Sequence, residues 1–508
     1  MRRIAVIMIG LAILSKTIGF FREIILSYYY GTSALSDTFV IALTIPTVLF
    51  GFIITGFSTT FIPMYTRIIN DEGRQSGLKY LNNLVNIVLI ISTFVFCISF
   101  IFMEQIVGIL SSSLPKEIIG FTIKYCRISL VIVYTTAITG LFSAFLQANQ
   151  SFVISSIIYL PMNFILIITL VLGYYNDMII SAYGIVLAYL SQMVLLIPYV
   201  YKYGYRYRLS IGLKNQYIRE TYFIIMPVIL SSAVYHINII IDRALAGKAM
   251  IGGVSALNYA NVVNGFVQGV FIVPIITALY PLISKNIIEG NYHDFKNHFR
   301  EASNLINIFV MPSMFLLIFY NDEVIRLLFG RGAFDQTSIE ITSNALMYYA
   351  IGFIAFGYKE ILNRTFYSMQ DTRTPLINSF FAVSTNIILS LELSKHMGID
   401  GIALATSISA VLSTLLLRNS LRKKTSFMQA IFFNKDTFKI LIVTCCFIFL
   451  CEILFKYNEF KSDNLSFIFS VIVSSCIYII LIASIKITGF EKINEKILMQ
   501  ISNLRRRK

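Results

Sequence analysis

Charge is scarce in this chain. Only 13% of its 508 residues are Asp, Glu, Lys or Arg, against about 25% in a soluble globular protein, which excludes an ordinary cytoplasmic enzyme. Chemistry-bearing side chains are sparse too. The four histidines, His236, His293, His298 and His396, are scattered and form no H-E-x-x-H pair. The six cysteines, Cys97, Cys126, Cys445, Cys446, Cys451 and Cys476, lie in or beside apolar stretches, and none has the C-x-x-C spacing of a zinc or redox site. No G-x-x-x-x-G-K-[ST] run occurs, so the chain holds no phosphate loop with which to hydrolyse ATP.

Apolar residues are what the chain has in abundance, at 57%. At roughly 20 residues per membrane-spanning helix, that supply allows at most about 14 spans. The apolar stretches fill this bound: 4–30, 34–66, 80–110, 118–147, 151–174, 179–201, 217–247, 252–284, 302–330, 337–368, 374–395, 399–419, 437–457 and 464–486. The expectation is an all-α polytopic membrane protein, with kinks at Pro46, Pro161, Pro227 and Pro274. Met1-Arg2-Arg3 followed by Ile4–Leu14 mimics a signal peptide, but no small-residue cleavage site follows, so a retained first helix is expected.

The net charge of +15 does not point to nucleic acid, because the basic residues sit between apolar runs rather than on one solvated face. It reads as the positive-inside bias of a polytopic protein. With the N-terminus in the cytoplasm, 28 lysines and arginines fall in cytoplasmic segments and 7 in the opposite ones. Both termini are therefore expected in the cytoplasm, with the chain multi-pass in a bacterial cell membrane.

Segments near the start recur 217 to 223 residues later. Arg22-Glu23 is answered by Asp242-Arg243, Phe61–Tyr65 by Leu279–Ile283, Asn163 by Asn386 and Gly184–Ala188 by Gly401–Ala405. Six spans separate the copies, an even number, so the repeats are parallel, an arrangement that supports alternating access. The expected division is an N-terminal six-helix lobe over 1–215, a C-terminal six-helix lobe over 216–424, and a final helix pair with a basic cytoplasmic tail over 425–508, the lobes enclosing a central cavity.

An ionisable group inside a span costs roughly 2.5–3.5 kcal/mol on insertion scales, so each one asks for a partner or a wet cavity. Lys16, Arg22 and Glu23 lie in the first span, Asp37 opens the second, Lys124 and Arg127 lie in the fourth, Asp242 and Arg243 in the seventh, Lys359 and Glu360 in the tenth. At 100° per residue, Lys16 shares a face with Glu23, His236 with Arg243, and Asn238 with Asp242. Lys16, Arg22, Asp37, Arg127 and Arg243 are the candidate substrate-binding residues, and Glu23 and Asp242 the candidate gating ion-pair residues. Surplus cations suit a phosphate or pyrophosphate, which arginine grips through two parallel hydrogen bonds.

Ser15-Lys16-Thr17-Ile18-Gly19-Phe20-Phe21-Arg22-Glu23, with Gly31 and Asp37-Thr38-Phe39 beyond it, resembles the first-helix signature of the MurJ (MviN) lipid II flippases. Ser255–Ala260 and, most specifically, Arg364–Pro375 are similar to that family's eighth-helix start and its tenth-to-eleventh helix junction. The resemblance spans twelve helices. The final pair matches in number and position.

The resemblance implies the fold of the multidrug/oligosaccharidyl-lipid/polysaccharide exporter class, with the C-terminal pair forming a groove for a polyprenyl tail. It implies a secondary transporter rather than an enzyme, moving undecaprenyl-pyrophosphate-linked lipid II outward and working as a monomer among membrane lipids. It places the family's first-helix cations on Lys16 and Arg22 and its second-helix aspartate on Asp37. The only cofactor implied is a sodium ion, whose ligands fall on Asp242, Asn386, Ser390, the Ile402 carbonyl and Thr406, with Ser390 in place of a carboxylate. Phe50 and Val262 stand where well-known members carry arginine, and Thr55 where they carry an acid. That leaves a less cationic cavity and a second reading, a flippase for another polyprenyl-linked glycan such as a capsule, O-antigen or teichoic-acid precursor. A cation-coupled drug exporter shares the twelve-helix repeat but lacks the extra pair, and a polytopic glycosyltransferase would need a longer acidic outer loop.

Overall fold

The computed structural model describes residues 2–209, 212, 216–424, 434–458, 460, 462–485, 487, 488 and 491, with backbone alone for 2–9 and 12. Of the cations counted toward orientation, Lys214, Lys461, Lys486, Lys492, Lys496 and Arg505–Lys508 lie outside the described residues, as does most of the expected basic tail.

The described residues form helices and no strand. In chain order these are α1 (Arg2–Tyr30), α2 (Ala34–Glu72), α3 (Arg74–Ile101), α4 (Met103–Leu110), α5 (Lys116–Ser129), α6 (Ile132–Ala148), α7 (Phe152–Ile157), α8 (Tyr159–Tyr175), α9 (Ile179–Lys202), α10 (Gln216–Ala249) and α11 (Gly253–Val267). After a π-helical turn at Gln268–Ile272 come α12 (Val273–Ile288), α13 (Tyr292–Phe319), α14 (Asn321–Phe329), α15 (Gln336–Ala350), α16 (Phe353–Ser368), α17 (Arg373–Lys424), α18 (Lys435–Tyr457) and α19 (Asp463–Ser484). Among the described residues, 11 helices are long and apolar enough to cross a membrane, or 12 if the α15–α16 pair, bent by 44°, is one span.

Two of the four expected prolines mark breaks, for a covalent reason. A proline lacks the N–H that would bond the carbonyl four residues earlier. Pro161 follows the turn at Ile158 that separates α7 from α8, and Pro274 follows the π-helical turn. Pro46 and Pro227 are absorbed inside continuous α2 and α10. At the other end of the scale α13 starts ten residues before the apolar run does, because Asn291 caps it by accepting the Asp294 N–H at 3.2 Å.

The chain packs as two compact units, residues 1–259 with 329–338, and residues 260–328 with 339–508. In the first, α2 is the central helix, packed on α6 and α10. Phe61 stacks on Tyr65 at 5.1 Å and on Tyr80 at 5.8 Å within its buried face.

In the second unit α17 is divided by non-helical backbone at Gly398, whose φ of 58° is a conformation that favours glycine. The base of the resulting hairpin is closed by Asp371, which accepts the Thr374 N–H at 3.0 Å and pairs with Lys424. Burial alone would push the Asp371 carboxyl up, but its bonds from Lys424 and Thr374 prevail and hold it at about 2.

The α18–α19 pair docks on α13 by a polar bolt and an aromatic seam. Buried Asp436 accepts from Arg300 at 2.8 Å, Asn304 at 3.1 Å and the Thr488 hydroxyl at 3.1 Å. Tyr478 donates to the Ile308 carbonyl at 2.8 Å, and Tyr320 packs on Phe467 at 5.6 Å. Asp436→Ala strands a guanidinium and a buried amide, a loss of about 1–3 kcal/mol. The expected outcome is a lower thermal unfolding temperature in detergent, while Lys439→Ala, whose half-exposed ammonium stands 4.0 Å from Asp436, leaves it unmoved.

Candidate functional site

Consecutive residues on a helix point about 100° apart, so Arg22 and Glu23 leave α1 toward different neighbours. Arg22 donates through Nη1 to the Asn163 amide oxygen of α8 at 3.2 Å, and its Nη2 turns back to pair with Glu23. Glu23 is almost fully buried, and its second oxygen accepts from Asn258 Nδ2 of α11 at 3.0 Å. Asn258 in turn accepts from Arg243 Nη2 of α10 at 2.7 Å, while Arg243 Nη1 donates to the Val254 carbonyl at 2.7 Å.

The result is one chain of alternating donors and acceptors, Asn163–Arg22–Glu23–Asn258–Arg243, drawn from four helices of the first unit. It holds two guanidiniums and one carboxylate, with an amide spacing the second cation from the anion. Arg22 Nε is buried and makes no hydrogen bond. An anion that reached this guanidinium would compete with Glu23 for its Nη2. Beside the chain, Asn238 donates to Asp242 at 3.0 Å, as their spacing of four predicts.

Asp37 is engaged differently. It is buried at 1% exposure, and its two oxygens accept the Gly252 N–H at 2.8 Å and the Ser255 N–H at 2.7 Å. That is a carboxylate at the positive end of α11, which caps orphan N–H groups and complements the helix dipole. The turn it holds is tight. Gly252 has φ 80°, and a Cβ there would lie 2.3 Å from the Thr32 carbonyl oxygen. The Tyr259 hydroxyl donates to the Gly31 carbonyl at 3.1 Å, and Thr32 meets Ser338 at 2.6 Å. The side-chain and backbone donors of Ser338 hold the Asp335 carboxyl below its usual range.

The other candidates lie apart from this chain. Lys16 is exposed and makes no ion pair among the described residues. Arg127 faces Glu104 at 3.5 Å and the Phe100 ring at 5.0 Å, so it is partnered within the α3–α5 neighbourhood. Of the sodium ligands, Asp242 belongs to the first unit and the others to the second. There Asn386 donates to Thr406 at 3.2 Å, Thr406 donates to the Ile402 carbonyl at 3.1 Å, and Ser390 is fully buried. The Asn386 amide oxygen is buried and accepts no hydrogen bond. The oxygens of Asn386, Ser390, Ile402 and Thr406 are the four that the second unit contributes to the expected set, and none is a carboxylate. Among the described residues no group of three His, Cys, Asp or Glu side chains is placed to hold a metal ion.

Sequence reasoning missed Asn163 and Asn258 as members of the site. The signals were present: Asn163 sits in the internal repeat and Asn258 in the Ser255–Ala260 motif. A neutral amide carries no charge to betray it inside a span.

The family model described as "Lipid II flippase MurJ" matches residues 26–475. A probable lipid II flippase MurJ of Buchnera aphidicola subsp. Baizongia pistaciae is 25% identical over 462 residues, 90% of each chain. One of Thermotoga maritima is 24% identical over 480 residues, 94% of this chain and 95% of that one. Among solved structures, a lipid II flippase MurJ in an inward closed conformation superposes with TM-score 0.81 at 23% identity, covering 94% of this chain and 98% of its own. An inward-facing multidrug resistance transporter of the MATE family and MOP superfamily reaches TM-score 0.65 at 14% identity over 83% of this chain. The chain thus belongs to the lipid II flippase MurJ family.

Proposed function

We propose that this protein translocates lipid II, the undecaprenyl-pyrophosphate-linked peptidoglycan precursor, from the cytoplasmic to the outer leaflet by alternating access. The observation that carries the reading is the family match over residues 26–475, and the Arg22–Glu23–Asn258–Arg243 chain supports it with a mechanism. Pyrophosphate offers Arg22 two parallel hydrogen bonds, where the Glu23 carboxylate engages Nη2 alone. Its arrival frees Glu23, which loosens Asn258 and with it the hold on Arg243. Binding at α1 is thereby felt at α10 and α11, the differential contact that a ligand-driven change of state requires.

The architecture we propose is fourteen spans, reached from the twelve by adding α1 and dividing α17 at Gly398. Two parallel six-helix repeats enclose the cavity, α18 and α19 form a groove for the polyprenyl tail, both termini are cytoplasmic and the working form is a monomer. Lys16, Arg22, Asp37, Arg127 and Arg243 serve the substrate, with Glu23 and Asp242 as gating residues. Sodium is the coupling ion proposed, with Asp242, Asn386, Ser390, Ile402 and Thr406 as ligands; it supplies a bound positive charge whose gradient biases one state.

A second reading, a flippase for another polyprenyl-linked glycan, is favoured by Phe50, which is fully buried at a position where well-known members carry arginine.

In cells depleted of their own lipid II flippase, the wild-type chain is expected to restore surface-exposed lipid II. Arg22→Ala, expressed and inserted at the same level, is expected to cut the flux about 10-fold or more, the worth of one charge-assisted bond. Failure of a well-expressed wild type shifts the cargo to the second reading, and normal flux by Arg22→Ala removes Arg22 from the mechanism. For Asp242→Ala, transport by the purified protein in vesicles is expected to lose its dependence on a sodium gradient; unchanged dependence rejects that ion site.

A further inference from the structure

Where α1 and α8 end and α5 and α9 begin, the first unit holds a cleft of ≈ 620 Å³ that the translocation reading does not use. We propose that this cleft binds a primary ammonium group. Tyr29 and Tyr30 of α1, Tyr174 of α8 and Phe121 of α5 wall it, and Glu117 and Asp177 are the charged residues of its lining, which includes no lysine or arginine. Its volume lies inside the range of about 300–1,000 Å³ typical of ligand pockets.

The tyrosines form a packed cluster along the wall of the cleft. Tyr174 meets Tyr29 at 4.8 Å and Tyr30 at 5.9 Å, the latter edge to face at 89°, and Tyr175 backs Tyr29 at 6.0 Å. Tyrosines that merely anchor a protein at the membrane surface present their hydroxyls to headgroups. Tyr30 does the opposite: it is buried, with its hydroxyl spent on the Leu170 carbonyl at 3.0 Å, so its ring is what the cleft meets. Aromatic faces attract cations through their quadrupole. Glu117 adds a carboxylate that makes no ion pair within 4.0 Å among the described residues, and Asp177 a second, one of whose oxygens caps α9 at Ile179 at 2.9 Å. Rings and carboxylates together select an organic cation over an anion or a neutral sugar.

The cleft opens on the outward side under the orientation proposed above. That placement rests on the flippase reading, whereas the ligand chemistry does not. An ammonium arrives there either on the peptide of the translocated headgroup or on an amine-bearing phospholipid.

The test is binding, which no failure of transport can imitate. The full-length chain in detergent is titrated with Nα-acetyl-lysine amide and, separately, with its neutral Nα,Nε-diacetyl twin, followed by saturation-transfer NMR. The charged probe is expected to saturate and the neutral twin to show no binding. Glu117→Gln with Asp177→Asn, both exposed, is expected to weaken the charged probe at least about 10-fold; Tyr174→Leu does the same and Tyr174→Phe, which keeps the ring, does not. Equal binding of the twin, or wild-type affinity in the double variant, overturns the proposal. In nanodiscs, displacement of the probe by phosphatidylethanolamine assigns the ammonium to the membrane lipid, and undiminished binding assigns it to the headgroup peptide.

Discussion

A carboxylate inside a membrane span has no water to solvate it, so its donors must come from the protein. Glu23 meets that demand with the Arg22 guanidinium on one oxygen and the Asn258 amide on the other. Both partners have further obligations, Arg22 to Asn163 and Asn258 to Arg243. Satisfying one buried charge therefore ties four helices of the first unit together. It also makes the tie breakable by anything that satisfies Arg22 better. Structural cohesion and responsiveness to an anion come from the same bonds.

The same rule shapes the rest of the molecule. Asp37 has both oxygens taken by N–H groups at the α11 start. Asp436 is buried at the α13–α18 contact and becomes a bolt because Arg300, Asn304 and Thr488 all converge on it. Breaking such a pair on one side costs more than the pair itself contributes, because a stranded partner stays buried. Each of these sites consequently resists change at any one member, while Lys16, with no ion pair among the described residues, does not constrain the packing.

Much of this architecture was legible in advance. Long apolar runs announce spans because only helices satisfy their own backbone in lipid, and a proline's missing N–H located the turn at Ile158 and the π-helical turn. Helical spacing put Asn238 and Asp242 on one face, where they bond at 3.0 Å. Helix ends were less legible: α13 starts at Tyr292, where polar capping rather than hydropathy sets the boundary, and α17 continues past its apolar run to the Lys424 that closes on Asp371.

The chain's own sequence determined that charges would be rare, that Arg22, Glu23, Asp242 and Arg243 would lie inside helices, and that each would need a partner. Local periodicity reaches only residues three or four apart. Arg22 and Glu23 take partners more than 100 positions distant, by the 141-residue step from Arg22 to Asn163 and the 235-residue step from Glu23 to Asn258, and Arg243 reaches 15 positions on to Asn258 in the next helix. Tertiary structure alone decided that Asp37 would cap a helix, that Arg127 would turn to Glu104, and that two uncharged asparagines would join the arginines and the glutamate in one chain.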